Sequence, residues 1–199
     1  MDETWKKEIA SKLPELPDIR RERFIEDYNL PEYDAELLTQ AKSTADYYEG
    51  VAKFTDDYKS ASNWVMVDVM KILNEKKIEI TEFQISSEKL GKLINLINEE
   101  TISGKIAKDV FAAMLEEDKT PGQIVKEKNL IQISDIGEIE NIIEEILNNN
   151  QAQVQDYISG KDKVFGFFVG QVMRETKGKA NPKIVNDFLR KKLDSLKVS

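Results

Sequence analysis

Between residues 160 and 182 the sequence spaces cations and glycines in a way suited to holding a polyanion. Lys161, Lys163, Arg174, Lys177 and Lys179 carry the charge, and Gly166 and Gly170 fall between them. The stretch DKVFGFFVGQVMRET reads as a helix. At about 100° per residue, Val164, Phe165, Phe168, Val169, Val172 and Met173 share one broad arc, the expected core side. Lys163, Gly166, Gly170, Arg174 and Lys177 lie on the opposite arc. Glycine inside a helix costs roughly 0.5–1 kcal/mol relative to alanine, so two of them away from the core need a reason. A helix with its side chains removed at two successive turns and flanked by cations offers a flat basic strip to a phosphate backbone. A second helix crossing closely over Gly166-x-x-x-Gly170 would equally use the glycines, but leaves the flanking cations unexplained.

Both ends of the strip carry basic corners. In Gly178-Lys179-Ala180-Asn181-Pro182, Asn181 reads as a helix cap and Pro182 as the first helical residue. The free amides of that helix start favour anions. Gly160-Lys161 makes a similar corner at the other end. Phe167, at the rim of the strip, is the sole candidate there for base stacking, so recognition of shape and backbone is expected rather than sequence readout.

The charge distribution agrees. The 199-residue chain has 29 basic and 37 acidic side chains, a net of -8. From Gln151 to Ser199 ten basic residues face five acidic ones, a net of +5, which leaves -13 for residues 1–150. An acidic body with a basic tail points to a polyanion-binding end. Zero cysteine excludes disulfides, thiolate nucleophiles and cysteine-ligated metal, and zero histidine removes the commonest general base and metal ligand. The acidic residues are scattered over helical faces without a Gly-rich loop or Asp-x-Asp cluster, so no catalytic and no metal-binding residue is expected. The longest apolar runs, Phe165–Val169 and Trp64–Val67, are far short of a bilayer span. Residues 1–13 lack a signal-peptide core, so the expected location is cytoplasmic, without membrane association.

The elements that must position the strip are helices almost throughout. Helices are predicted over 18–29, twice within 32–54 with Asp34 and Ser43 or Thr44 as caps, and over 58–74 with Ala61, Val65, Val69, Ile72 and Leu73 on its core face beside Trp64. Residues 77–85 alternate like a strand but have no partner, and are expected to form an extended connector. Further helices follow over 87–98, around Ile106–Met114, from Thr120-Pro121 towards Lys128, and over 135–147. The amide-rich NNNQAQVQ, at 148–155, sits where the charge changes sign and predicts a domain boundary. Three helices lie beyond it, over 151–158, 162–176 and 182–196. The fold class is therefore all-α: a helical bundle domain, 1–147, followed by a small basic three-helix tail, 148–199.

YISGKDKVFGFFVGQVMRETKGKANPKIVNDFL resembles the tail domain of the B subunit of the tRNA-dependent amidotransferase and its small stand-alone relatives, the GatB/YqeY tail family. Upstream, LPELPDIRRERFIEDYNLPEYDAELLT, ADYYE, ASNWVMVDVMKILN and ISGKIAKDVFAAM resemble the helical domain preceding that tail. Asn150-Gln151 departs from an expected Asn-Pro. The resemblance implies a part of a glutamine-dependent ligase that converts misacylated Glu-tRNA(Gln) or Asp-tRNA(Asn) to the amidated form in protein biosynthesis. It further implies that ATP and Mg belong to a catalytic domain preceding this chain, so that none is expected here. The implied partners are tRNA, the amidase (A) subunit, the small (C) subunit, and not DNA. In such a protein the helical and tail domains grip the tRNA, the tail at its elbow. Carried onto this sequence, the candidate RNA contacts are Lys161, Lys163, Gly166, Gly170, Arg174, Lys177, Lys179 and Asn181. Two other classes stay open: a protein-docking module whose glycine strip receives a partner's helix without binding RNA, and a free-standing enzyme.

Overall fold

A computed structural model describes residues 15–197, so the expectation about residues 1–13 lies outside them. Among the described residues the chain is all-α, and its β-pairing is one isolated bridge. Two compact units divide it, one up to Ile94 and one from Asn95 onwards.

In the first unit, α1 (Pro17–Tyr28) opens on a proline, where a missing N–H is harmless, and closes at the left-handed Asn29, whose N–H reaches back to the Phe24 carbonyl. Leu30-Pro31 separates it from α2 (Glu32–Thr39), and α3 (Lys42–Ala52) follows. The predicted helix over 58–74 is realised as α4 (Tyr58–Asn63), a π-helical segment (Trp64–Val69) and α5 (Met70–Lys76). Residues 77–85 form no strand, as expected, but the connector is not uniformly extended: Lys77 is left-handed where it ends α5, Ile80–Glu82 form a short 3-10 turn closed by a Glu79–Glu82 capping box, and Gln84 and Ile85 lie in a bend. α6 (Ser87–Asn98) follows, and the division between the units falls within its last turn. Phe24, Leu38, Tyr48, Val65, Val69 and Leu93 are buried. The rings of Phe24, Tyr28, Tyr48 and Tyr58 meet at centroid distances of 4.9–5.4 Å. Over them, the buried Arg20 guanidinium pairs with Asp46 at 2.6 Å and with Glu49, joining α1 to α3.

The predicted caps in this unit differ from the structure. Asp34 lies inside α2, is buried, and accepts hydrogen bonds from Ser62 Oγ at 2.8 Å and from the Lys59 ammonium. A link between α2 and α4 takes the carboxylate that a cap would have used. Ser43 and Thr44 fall within the first turn of α3, whose cap position is Ala41. Gly91 of α6 is set by close approach, because a Cβ there would stand 2.6 Å from Phe54 Cβ and 3.0 Å from the Val51 carbonyl oxygen.

In the second unit α7 (Gly104–Glu116) is capped by Ser103, which accepts from the Ile106 N–H. The predicted Thr120-Pro121 start holds for α8 (Pro121–Glu127), where Thr120 and Gln123 form a reciprocal capping box. α9 (Ile136–Asn149) is capped by Asp135. α10 (Gln151–Ile158), a 3-10 turn (Asp162–Val164), α11 (Phe165–Glu175) and α12 (Pro182–Lys197) complete the chain. One core joins Ile139, Ile143 and Leu147 of α9 to Val154, Phe168, Val172, Val185 and Leu189 beyond residue 150. The boundary expected at 147/148 therefore falls inside this unit: the charge changes sign there, but the apolar surface does not stop. A parallel bridge adds a second tie, with Ile133 N–H donating to the Lys179 carbonyl at 2.7 Å and Asn181 N–H donating to the Ile133 carbonyl at 2.9 Å.

Residues 148–199 expressed alone lose three fully or nearly buried side chains of α9, each worth ~1.5–3 kcal/mol of burial. Thermal unfolding followed by circular dichroism should show no cooperative transition for 148–199 and a clear one for 131–199; equal melting of the two would contradict a shared core. In the first unit Gly91→Ala should lower stability by about 1–3 kcal/mol through overpacking, measured by denaturant unfolding of the whole chain.

Candidate nucleic-acid interface

Burial of Phe168 and Val172, both 0% exposed, sets the rotation of α11 about its axis. Val169 and Met173 are half-buried beside them and pack on the same core. The opposite side, with Gly166, Gly170 and Arg174, is exposed, as is Lys163 in the 3-10 turn leading into the helix. A Cβ built on Gly166 or Gly170 meets nothing within 4 Å. Unlike Gly91, neither glycine is needed for packing inside the unit. The reading in which a helix of the same chain crosses them has no support among the described residues.

The strip's cations differ in availability. Lys163, Arg174 and Lys177 are exposed and form no ion pair among the described residues. Lys161 is exposed and bound to Asp156 at 2.7 Å. Lys179 is half-buried, and its carbonyl is held in the bridge to Ile133. Lys192, by contrast, is occupied: Glu144, hydrogen-bonded to its ammonium, and then Glu140 hold it above the usual lysine range. Glu175 is exposed at the C-terminal end of α11, about a quarter-turn round from Arg174.

Asn181 is buried and already engaged. Its Oδ1 accepts from the N–H groups of Lys183 at 3.0 Å and Ile184 at 3.3 Å, capping α12 as the sequence predicts. Its Nδ2 donates to Glu100 Oε2 at 3.2 Å. The corner before α12 turns through two left-handed residues, Lys177 at φ 53° and Gly178 at φ 78°. Thr176 braces it, donating to the Val172 carbonyl and accepting from the Ala180 N–H. Lys177 is thereby directed by a turn rather than by the helix.

Lys105, at the start of α7, is exposed and falls outside the set of contacts predicted from the sequence. Its Nζ lies 4.0 Å from the point a Cβ on Gly178 would occupy, so it adds a cation to the corner from a remote part of the sequence. Nothing local signals this, because the segment before α7 is joined to the corner by long-range contacts: the Asn181–Glu100 hydrogen bond, and the Gln132 N–H donating to the Thr101 carbonyl at 2.7 Å next to the Ile133–Ala180 bridge. Among the described residues there is no group of three or more Asp or Glu side chains able to hold a metal ion. Nor is any helix among them long and apolar enough to cross a membrane.

Comparison with known proteins bears on the whole chain. The family described as the GatB domain matches residues 46–193. The chain is similar to the B subunit of the aspartyl/glutamyl-tRNA(Asn/Gln) amidotransferase of Caldicellulosiruptor bescii, at 49% identity over 199 residues, covering 98% of this chain and 42% of that protein. The corresponding protein of Prosthecochloris aestuarii is 50% identical over 194 residues, with 98% and 40% covered. That of Geobacter sulfurreducens is 50% identical over 189 residues, with 95% and 40% covered. This chain thus spans about two fifths of the length of these curated relatives. With most of its length matched, the chain belongs to the GatB domain family.

Proposed function

We propose that this chain is the tRNA-gripping portion of the B subunit of an aspartyl/glutamyl-tRNA(Asn/Gln) amidotransferase. It holds misacylated Glu-tRNA(Gln) or Asp-tRNA(Asn) while the complete complex amidates the attached residue. ATP and Mg act in another part of the same protein, and the partners are the amidase (A) subunit plus the small (C) subunit, in the cytoplasm. The observation that carries the reading is the outward strip of α11: two glycines with open space above them, bordered by Lys163, Arg174 and Lys177, which form no ion pair among the described residues. Relatives named for tRNA substrates support the choice of tRNA as the polyanion.

Chemically, the strip neutralises phosphates. Each ammonium or guanidinium that meets a phosphate releases condensed counterions, so affinity falls steeply with salt. Lys161 can join by exchanging Asp156 for a phosphate, because an exposed pair is worth little. Asn181 contributes by fixing the start of α12 and the shape of the corner.

A gel shift of the whole chain with tRNA across a salt series tests this. Four phosphate contacts predict a slope of log association constant against log salt of roughly -3 to -4. Lys163→Glu with Arg174→Glu should weaken binding at least tenfold and about halve the slope. Unchanged affinity in that double variant would remove the strip from consideration. Gly166→Ala with Gly170→Ala should raise folding stability by about 0.5–1 kcal/mol, mainly through Gly170, which lies in the helix interior, whereas Gly166 is in the first turn; neither has a close neighbour. The same pair should weaken tRNA binding, and a stabilised variant with undiminished affinity would mean that close approach is not required.

A further inference from the structure

We infer that Phe167 is a stacking platform for an unpaired base of the RNA held on the α11 strip, an inference that rests on the RNA-binding reading of that strip. Phe167 is 37% exposed, and among the large exposed hydrophobic side chains described in the second unit it is the one aromatic, the others being Ile131, Ile136 and Leu196. At 100° per residue it points within about 20° of Arg174 and about 60° of Gly170, so it stands among the cations rather than at their edge. Gly166 precedes it and Gly170 follows one turn later, both with open space where a side chain would be. The ring therefore stands beside two positions where the helix surface is open. It is also steadied from below: its ring meets the fully buried Phe168 edge-on, at 5.4 Å and 74°. A preset ring loses little conformational freedom when a second ring stacks on it.

The surroundings select the ligand. An exposed aromatic that docks protein sits in an apolar patch, whereas the exposed neighbours of Phe167 one turn away are Lys163 and Gly170, with the half-buried Val164 and Gln171 beside them. Cations beside an aromatic suit a nucleotide, whose phosphate takes the charge while its base covers the ring. Bases within a duplex are already stacked on one another and present no free face. Only a base splayed from a loop or bulge can use Phe167. The platform thus adds to the strip a preference for RNA with unpaired bases over plain duplex, without choosing among the four bases.

The test uses the whole chain with two probes, a tRNA transcript and a blunt RNA duplex of similar length, in gel shifts across salt. Phe167→Ala should lower tRNA affinity about five- to hundredfold, the range for loss of one base–aromatic stack, while leaving the salt slope and duplex affinity as in the parent. Phe167→Tyr should keep parent affinity. Phe167→Trp should show emission quenched by tRNA and not by duplex, relative to the parent containing only Trp5 and Trp64. Phe167→Ala binding tRNA as tightly as the parent, while Lys163→Glu with Arg174→Glu does not, would overturn the platform and leave the strip standing. Equal loss on both probes would also overturn stacking, since the ring would then be packing against backbone. Failure of the parent to bind tRNA at low salt would remove both readings together.

Discussion

The burial of Phe168 and Val172 is the constraint on which the rest of the second unit turns. Full burial of the two side chains is worth about 3–6 kcal/mol together, and a helix that must bury a given arc has no remaining freedom to rotate. With those two residues inward, helical periodicity sends Gly166, Phe167, Gly170 and Arg174 outward. The character of the outer face is then decided by residue types alone. Its glycines have no packing neighbour, and Lys163, Arg174 and Lys177 form no ion pair among the described residues, so the packing of this unit does not account for the composition.

The surface that buries Phe168 and Val172 comes partly from α9, which precedes the charge reversal. Ile139, Ile143 and Leu147 give α11 and α12 something to pack on, and the Ile133–Ala180 bridge pins the corner between those two helices. Charge and packing divide this chain in different places because they answer to different things. Charge follows the partner a surface meets, whereas a core extends for as long as apolar faces can be brought together. The basic tail is thus a surface feature of a larger unit, mounted on acidic helices that help to fold it.

Features governed by neighbouring residues are legible in the sequence. Thr120-Pro121 and Asn181-Pro182 announce helix starts because a cap bonds only two or three residues ahead. The apolar arc of α11 can be read because 3.6-residue periodicity is local. What escapes depends on contacts across many residues. Asp34 has the residue type of a cap, yet it serves Lys59 and Ser62 from inside α2. Asn181 reads both as a cap and as an RNA contact, and its amide is taken by Glu100. Lys105 reaches the Gly178 corner from α7 with no sequence signal. Phe167 reads from the sequence as a rim residue. Its partial exposure and its edge contact with Phe168 are what give it a role, and neither can be read without the packing.

The net charge of -8 has a consequence for how such a strip must work. Charges farther from the strip than about one Debye length, ~8–10 Å at moderate salt, are largely screened, so the acidic residues elsewhere in the chain have little effect on a polyanion lying against it. On the proposed reading, binding therefore depends on close contacts at the strip itself, where several cations act inside the screening length. A uniformly basic protein would hold any polyanion along its whole surface. Here residues 1–150 carry a net of -13 and residues 151–199 a net of +5, so positive charge is concentrated in the last quarter of the sequence. On the proposed reading, affinity then has to come from short-range fit, and the open space at Gly166 and Gly170 would let a backbone come near enough to the helix for Lys163, Arg174 and Lys177 to meet it together.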